Sequence, residues 1–305
     1  MLKFPFNDLK LAQESYQLVG NVRWPATGEL VAATSIKGSE IPTPNGGYPV
    51  SLTKKEQKLI LGGEAAIWAE NYDDSTLDNR IWPRSYVVAE RLWSSEELTD
   101  EASMYQRLQT MDRWSTISVG LQQKTSIEKQ LLRLANGHDV APLRQLANYA
   151  EPAQYYARNW IKFNQTEPKG ELYSQSERLN RFADALPVES FKVLDMEKLA
   201  TQTTDRAAMT NLLAHYNQVL DSAKLSKMIF ADNIASVDSQ EIAQKHVDVA
   251  YAAKQLLEQL LETGSVSSTQ IDVTRDVLAK SAAVYDEVVV AIARPTEILV
   301  NTLSR

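Results

Sequence analysis

The sequence predicts an α+β chain that is mainly α: one strand, loop and helix in its first third, then a bundle of long helices. Three observations predict this. Residues 59–70 read Leu-Ile-Leu-Gly-Gly-Glu-Ala-Ala-Ile-Trp-Ala-Glu, a short apolar run that ends on an aromatic and a carboxylate, as a buried strand does. Trp82-Pro83 then opens a segment that keeps helical character to Trp93. After Gly120, apolar residues recur at helical spacing nearly to the end of the chain.

Taken in order, residues 1–50 form a β-rich segment. Short runs such as Tyr16-Gln-Leu-Val and Leu30-Val-Ala-Ala-Thr are broken by Gly20, Gly28 and Gly38, which reads as hairpins rather than helix. Ile41-Pro-Thr-Pro-Asn-Gly-Gly-Tyr-Pro49 is a loop, because each proline drives its predecessor to extended geometry and the glycine pair supplies a turn. Residues 51–120 hold a short polar turn at Ser51–Lys58, the strand, a loop and the helix to Trp93. Thr99 is placed to cap a following helix, whose apolar positions Met104, Leu108, Met111 and Trp114 or Ser115 keep their spacing through Val119.

Residues 121–305 read as a C-terminal α-helical domain. One stripe is Met209, Leu212, Leu213, Tyr216, Val219 and Leu220, and a second is Ile242, His246, Val249, Ala253, Leu256, Leu257 and Leu260. A third runs from Val277 and Leu278 through Tyr285, Val288, Val289 and Ile292 to Pro295, which should stop or kink it. Three such stripes need one another for burial, so a bundle is expected.

Composition bounds the function classes. With 305 residues the chain is long enough for two cores, and 44% hydrophobic with 23% charged residues is ordinary for a globular protein. A formal net charge of −7 with no basic stripe argues against nucleic acid, whose phosphates need a basic face. Cys is absent, which excludes disulfides and thiolate metal sites. His138, His215 and His246 are scattered with no second ligand at metal spacing, so they read as packing or surface residues and neither metal nor cofactor is expected. No window is apolar enough to span a membrane, and the N-terminal run is too short for a signal peptide. Asp184 and Glu189 flank Leu186-Pro187 and read as caps; Trp82 and Trp93 read as core.

Leu61-Gly-Gly-Glu-Ala, Trp68-Ala-Glu70, Trp82-Pro-Arg84 and Ala89-Glu-Arg-Leu-Trp93 follow one another in a fixed order. This series resembles the last strand, loop and helix of the catalytic barrel of family 20 glycoside hydrolases, the β-N-acetylhexosaminidases. The resemblance is specific over residues 51–120. It makes that unit the terminal strand–loop–helix remnant of a (β/α)8 barrel, and residues 1–50 either the tail of an insertion in the barrel or plain hairpin surface. It implies that Trp68 stacks on the sugar beside the scissile bond and that Glu70 accepts hydrogen bonds from its distal hydroxyls. Glu64, Arg84, Glu90 and Arg91 are charges inside apolar segments, where an unpaired charge costs several kcal/mol, so they are expected to be structural ion pairs tying the last helix to the barrel.

The family's catalytic Asp-Glu pair stands in a His-x-Gly-Gly-Asp-Glu motif, which this sequence does not contain; its Asp-Glu pairs are Asp100-Glu101 and Asp286-Glu287. Only 67 residues precede Trp68, whereas a whole barrel takes about 250. The resemblance therefore implies the C-terminal part of a bacterial hexosaminidase without its catalytic half, and no catalytic residue of its own. An N-acetylhexosamine-terminated glycan or chitin-derived oligomer would be the ligand of the intact enzyme, the upstream half its partner, and the periplasm or outer surface its place. A second reading is an inactive truncated product or a helical interaction module.

Overall fold

The computed structural model describes residues 40–41, 50–51, 55, 72–95, 97–153, 158, 178–234 and 236–304. The strand expected at residues 59–70, and with it Glu64, Trp68 and Glu70, lies outside these residues, as does most of the expected hairpin segment. Of that segment, β1 (Glu40–Ile41) and β2 (Val50–Ser51) pair antiparallel, Glu40 opposite Ser51 and Ile41 opposite Val50, on either side of the Pro- and Gly-rich run.

From residue 72 onward the architecture is helical. α1 (Leu77–Ile81) is a short turn, α2 (Arg84–Trp93) starts on Pro83, and α3 (Glu101–Trp114) passes into a π-helical turn at Ser115–Val119 that ends on Gly120 in the left-handed region. Asp100, not Thr99, caps α3: its carboxylate accepts from the Ser103 amide at 3.0 Å, satisfying a donor that the helix leaves open. Val87, Met104 and Leu108 form a small core, joined by Tyr86, Tyr105 and Phe191. Trp93 is not core. It is 93% exposed, because it sits two residues past Arg91 on a helix whose buried face is Val87 and Arg91.

The larger core belongs to the rest of the chain. α4 (Gln123–Ala135), α5 (Ala141–Ala147) and α6 (Phe191–Ala200) pack around the long pair α7 (Arg206–Ala231) and α8 (Ser239–Thr263), with α9 (Ser268–Lys280) and α10 (Ala293–Leu303) closing the far side. Met209, Leu212, Tyr216, Val219 and Leu220 of the first stripe are buried, as are Ile242, His246, Val249, Ala253, Leu256 and Leu257 of the second. α7 begins where Asp205 accepts from the Ala207 and Ala208 amides at 2.8 and 3.2 Å, and α8 ends on left-handed Gly264.

The third stripe is not one helix. α9 stops at Lys280, and the chain turns through Tyr285–Val288, whose backbones exchange hydrogen bonds at 3.0 and 2.8 Å across the two-residue turn Asp286-Glu287. Both turn residues are left-handed, with φ of 47° and 63°. β4 (Val288–Val289) then pairs antiparallel with β3 (Glu151–Pro152). Pro295 neither stops nor kinks a helix: it lies in the first turn of α10, where its missing N–H leaves no bond unmade.

Candidate functional site

The loop after the expected strand is ordered by Asp73. Its Oδ1 accepts from the amide and hydroxyl of Ser75 at 3.0 and 2.7 Å and from those of Thr76 at 3.0 and 2.9 Å. Burial works against ionisation there, but these bonds outweigh it and hold the carboxyl below its usual range. The loop delivers two arginines to the helical domain. Arg80 Nη2 donates to Asp184 Oδ1 at 2.9 Å, and Arg84 donates through Nε to Glu189 Oε2 at 2.8 Å and through Nη2 to the Val188 carbonyl at 2.9 Å.

Behind these two contacts lie two buried charge clusters. In the first, fully buried Asp184 also receives Arg158 Nη2 at 2.8 Å and the Arg181 amide at 3.0 Å. Arg158 Nε reaches Glu287 Oε2 at 2.5 Å, Arg181 Nη1 lies 3.2 Å from Asp286 Oδ1 and 3.1 Å from Glu287 Oε1, and Ser239 donates its hydroxyl to Asp286. Arg80, Arg158 and Arg181 thus face Asp184, Asp286 and Glu287, three charges of each sign. Burial pushes the carboxyls of Asp286 and Glu287 up in spite of the arginines. In the second cluster Arg294 clamps Glu151 with two bonds at 2.7 and 3.0 Å and reaches Glu197 at 2.7 Å, while Glu151 also takes the Ser190 amide at 3.0 Å. Against burial, Arg294 holds Glu151 below the usual carboxylate range; Glu189, buried and beside the Glu151 charge, is pushed up.

Each carboxylate in these clusters already has a guanidinium or backbone partner, so the arrangement fixes the position of α1 and α2 rather than offering acid or base to a substrate. Reading Asp184 and Glu189 as caps missed this: Asp184 does accept from a nearby amide, but its charge partners lie far off in sequence. Glu90 takes Arg107 in a two-bond fork at 2.8 and 2.6 Å. Arg91 donates to the carbonyls of Leu98 and Ser95 at 2.8 and 3.0 Å, backbone partners where a carboxylate was expected. Trp82 is half-buried against Tyr86, ring centroids 4.4 Å apart. Among the described residues no group of three or more His, Cys, Asp or Glu could hold a metal ion, and no helix is long and apolar enough to cross a membrane. His246 is buried between the carbonyls of Ile242 and Tyr149, and His215 meets the Tyr149 hydroxyl at 2.8 Å.

The unit that these arginines anchor is similar to known proteins. Residues 24–96 match the catalytic domain of glycosyl hydrolase family 20. The β subunit of β-hexosaminidase from Felis catus is 41% identical over 69 residues, 23% of this chain and 13% of that protein. The chitooligosaccharidolytic β-N-acetylglucosaminidase of Ostrinia furnacalis is 38% identical over 74 residues, 24% of this chain and 12% of that one. The matched part is thus about an eighth of these curated relatives. The chitobiase of Flavobacterium johnsoniae superposes with a TM-score of 0.68 at 24% identity, over 82% of this chain and 36% of that one. That likeness reaches far beyond residues 24–96, so the fold of the helical domain is shared as well. The chain thus carries a segment similar to part of the family 20 catalytic domain, followed by a helical domain whose fold resembles that of the chitobiase.

Proposed function

We propose that the chain acts as the C-terminal part of a β-N-acetylhexosaminidase, which removes terminal N-acetylhexosamine from glycans or chitin-derived oligosaccharides. The observation that carries this is the family 20 match over residues 24–96, whose last helix is the one that Arg80 and Arg84 anchor to the helical domain. In such a reaction the substrate's acetamido oxygen attacks the anomeric carbon while one carboxylic acid protonates the leaving oxygen. Trp68 walls the sugar and its acetamido group, and Glu70 accepts from its distal hydroxyls. The general acid comes from an upstream half, since this sequence has no His-x-Gly-Gly-Asp-Glu motif. Glu64, Arg84, Glu90 and Arg91 hold the last helix in place.

The test is reconstitution. The chain alone should hydrolyse no aryl N-acetylglucosaminide; mixed with the upstream half of its barrel it should turn the substrate over, and Trp68→Ala should depress that turnover. Activity of the pure chain that survives repurification and is lost on mutating one of its own residues would sink the proposal. The second reading, an inactive helical interaction module, draws support from a core that closes within residues 131–300. It predicts a stable complex with no gain of hydrolysis.

A further inference from the structure

Asp73 is bonded well beyond what capping a short helix requires. Its Oδ1 takes the amides and hydroxyls of both Ser75 and Thr76. Its carbonyl takes the Thr76 and Leu77 amides at 3.2 and 2.9 Å, and its own amide donates to the Thr76 hydroxyl oxygen at 3.0 Å. Thr76 is fully buried in spite of that hydroxyl. A helix cap needs one bond of this kind, and α1, which follows, has five residues, far below the roughly 12–15 at which a helix holds by itself. The bonds fix the loop itself.

The loop is also seated on the helical domain. Asp78 Oδ2 accepts from the Gln122 amide at 2.6 Å, at the open start of α4, and Arg80 reaches Asp184 at 2.9 Å. In the other direction the chain leads from Asp73 back to Glu70. Three Cα–Cα steps of about 3.8 Å keep the Glu70 Cα within about 11 Å of the Asp73 Cα whatever path the chain takes. A tether that short passes on much of any displacement of Asp73, and contacts to a reacting sugar are sensitive to shifts of about 1 Å. We propose that Asp73 is a positioning residue for Glu70: it holds the chain just past Glu70 in one place against the helical domain, and so sets the contact of Glu70 with the distal hydroxyls of the sugar. This rests on the sugar-binding role proposed for Glu70. Asp73 itself touches no substrate in this scheme.

The test is steady-state hydrolysis of an aryl N-acetylglucosaminide by the chain reconstituted with its upstream half, for Asp73→Ala, Glu70→Gln and the double variant. Asp73→Ala should lower kcat/KM by about three- to ten-fold, the worth of about one hydrogen bond and part of what Glu70→Gln loses, with a melting temperature only a few degrees lower. In the Glu70→Gln background the same change should have little further effect, because Asp73 acts through Glu70; a residue that serves the fold alone would cost the same in both backgrounds. Asp73→Asn keeps an acceptor at Oδ1 and should recover most of the loss. If Asp73→Ala fails to fold, Thr76→Val, which deletes the hydroxyl from both of its bonds to the Asp73 amide and carboxylate, takes its place with the same expectation. Parental kinetics in Asp73→Ala, or an equal loss with and without the Glu70 carboxylate, overturns the inference and leaves the proposed function standing. Parental kinetics in Glu70→Gln removes the role of Glu70 and the inference with it, and a parental mixture without turnover overturns both the inference and the proposed function.

Discussion

Asp184→Asn isolates the charge that ties the loop–helix unit to the helical domain. Asp184 is fully buried and accepts three hydrogen bonds, from Arg80 at 2.9 Å, Arg158 at 2.8 Å and the Arg181 amide at 3.0 Å. Removing one partner of a buried ion pair costs about 3–5 kcal/mol, because the other is left charged and unpaired. Two features pull the expectation to the lower end: Arg158 keeps Glu287 at 2.5 Å, and the Arg80 side chain is 18% exposed and reaches water. About 3 kcal/mol translates into a melting temperature lower by roughly 6–12 °C for a domain of this size. Far-UV circular dichroism melts of parent and variant at neutral pH measure it, with native ellipticity before the melt as the control. A shift smaller than about 2 °C would refute the reasoning, since it would mean that the guanidinium groups lose nothing when the carboxylate charge goes. The pair Arg80→Met with Asp184→Leu should cost less than the two single changes added together, because the double change leaves no unpaired charge at the Arg80–Asp184 contact, although Arg158 still loses one of its two carboxylates.

Three further perturbations have measurable outcomes. Burial holds the His246 imidazole below its ordinary value of 6.5, so as pH falls through about 6.5 the unfolded chain takes up a proton that the folded one refuses, and stability falls with it; denaturant melts between about pH 7 and pH 5 should show a shallower loss in His246→Gln, and equal slopes would remove His246 from the account. His215, half-buried and shifted the same way, keeps part of the slope in that variant. In the reconstituted enzyme Trp68→Ala should lower kcat as well as weaken binding, and Glu70→Gln should cut kcat/KM by about ten- to a hundred-fold through lost charge-assisted bonds, both with parental melting temperature; unchanged kinetics with a lower melt would make the two residues structural. Asp205→Ala removes the cap of α7 and should cost about 1 kcal/mol, read as a melting temperature lower by a few degrees, whereas Asp205→Ser should recover most of it.

How far the sequence is legible depends on the range of the interaction that decides each element. The stripes of α7 and α8 depend on nothing beyond a 3.6-residue period, and burial follows it at every named position but Leu213 and Leu260, which are half-buried at the edges. Val277 and Leu278 stay in phase with Val288 and Val289 only by coincidence: the Asp286-Glu287 turn has no glycine to mark it, and its left-handed backbone is compensated by carboxylate contacts to Arg158 and Arg181 that no local pattern displays. Thr99 and Asp100 are both good caps, and the choice between them rests on one residue of register. Local reading of Asp184 as a cap found its amide partner and left out two guanidinium groups. Trp93 shows the opposite failure, since an aromatic at a helix end is read as core by composition although the helical angle turns it away from the buried face.

The partners in the two charge clusters emerge from the ribosome at very different times. Arg80 precedes Asp184 by 104 residues, Arg84 precedes Glu189 by 105, Arg158 precedes Glu287 by 129, and Glu151 precedes Arg294 by 143. On a growing chain, three of the four pairs begin with a cation and wait for its anion. Contacts of this sequence separation are slow to close, and N-terminal segments are the first to be able to fold. The anchoring of α1 and α2 therefore waits for Asp184 and Glu189, and the two clusters are complete only when the Tyr285–Val288 turn and the first turn of α10 have been made. Until then the guanidinium groups of Arg80 and Arg84 have water for a partner, and burial of the first comes only with the arrival of its carboxylate.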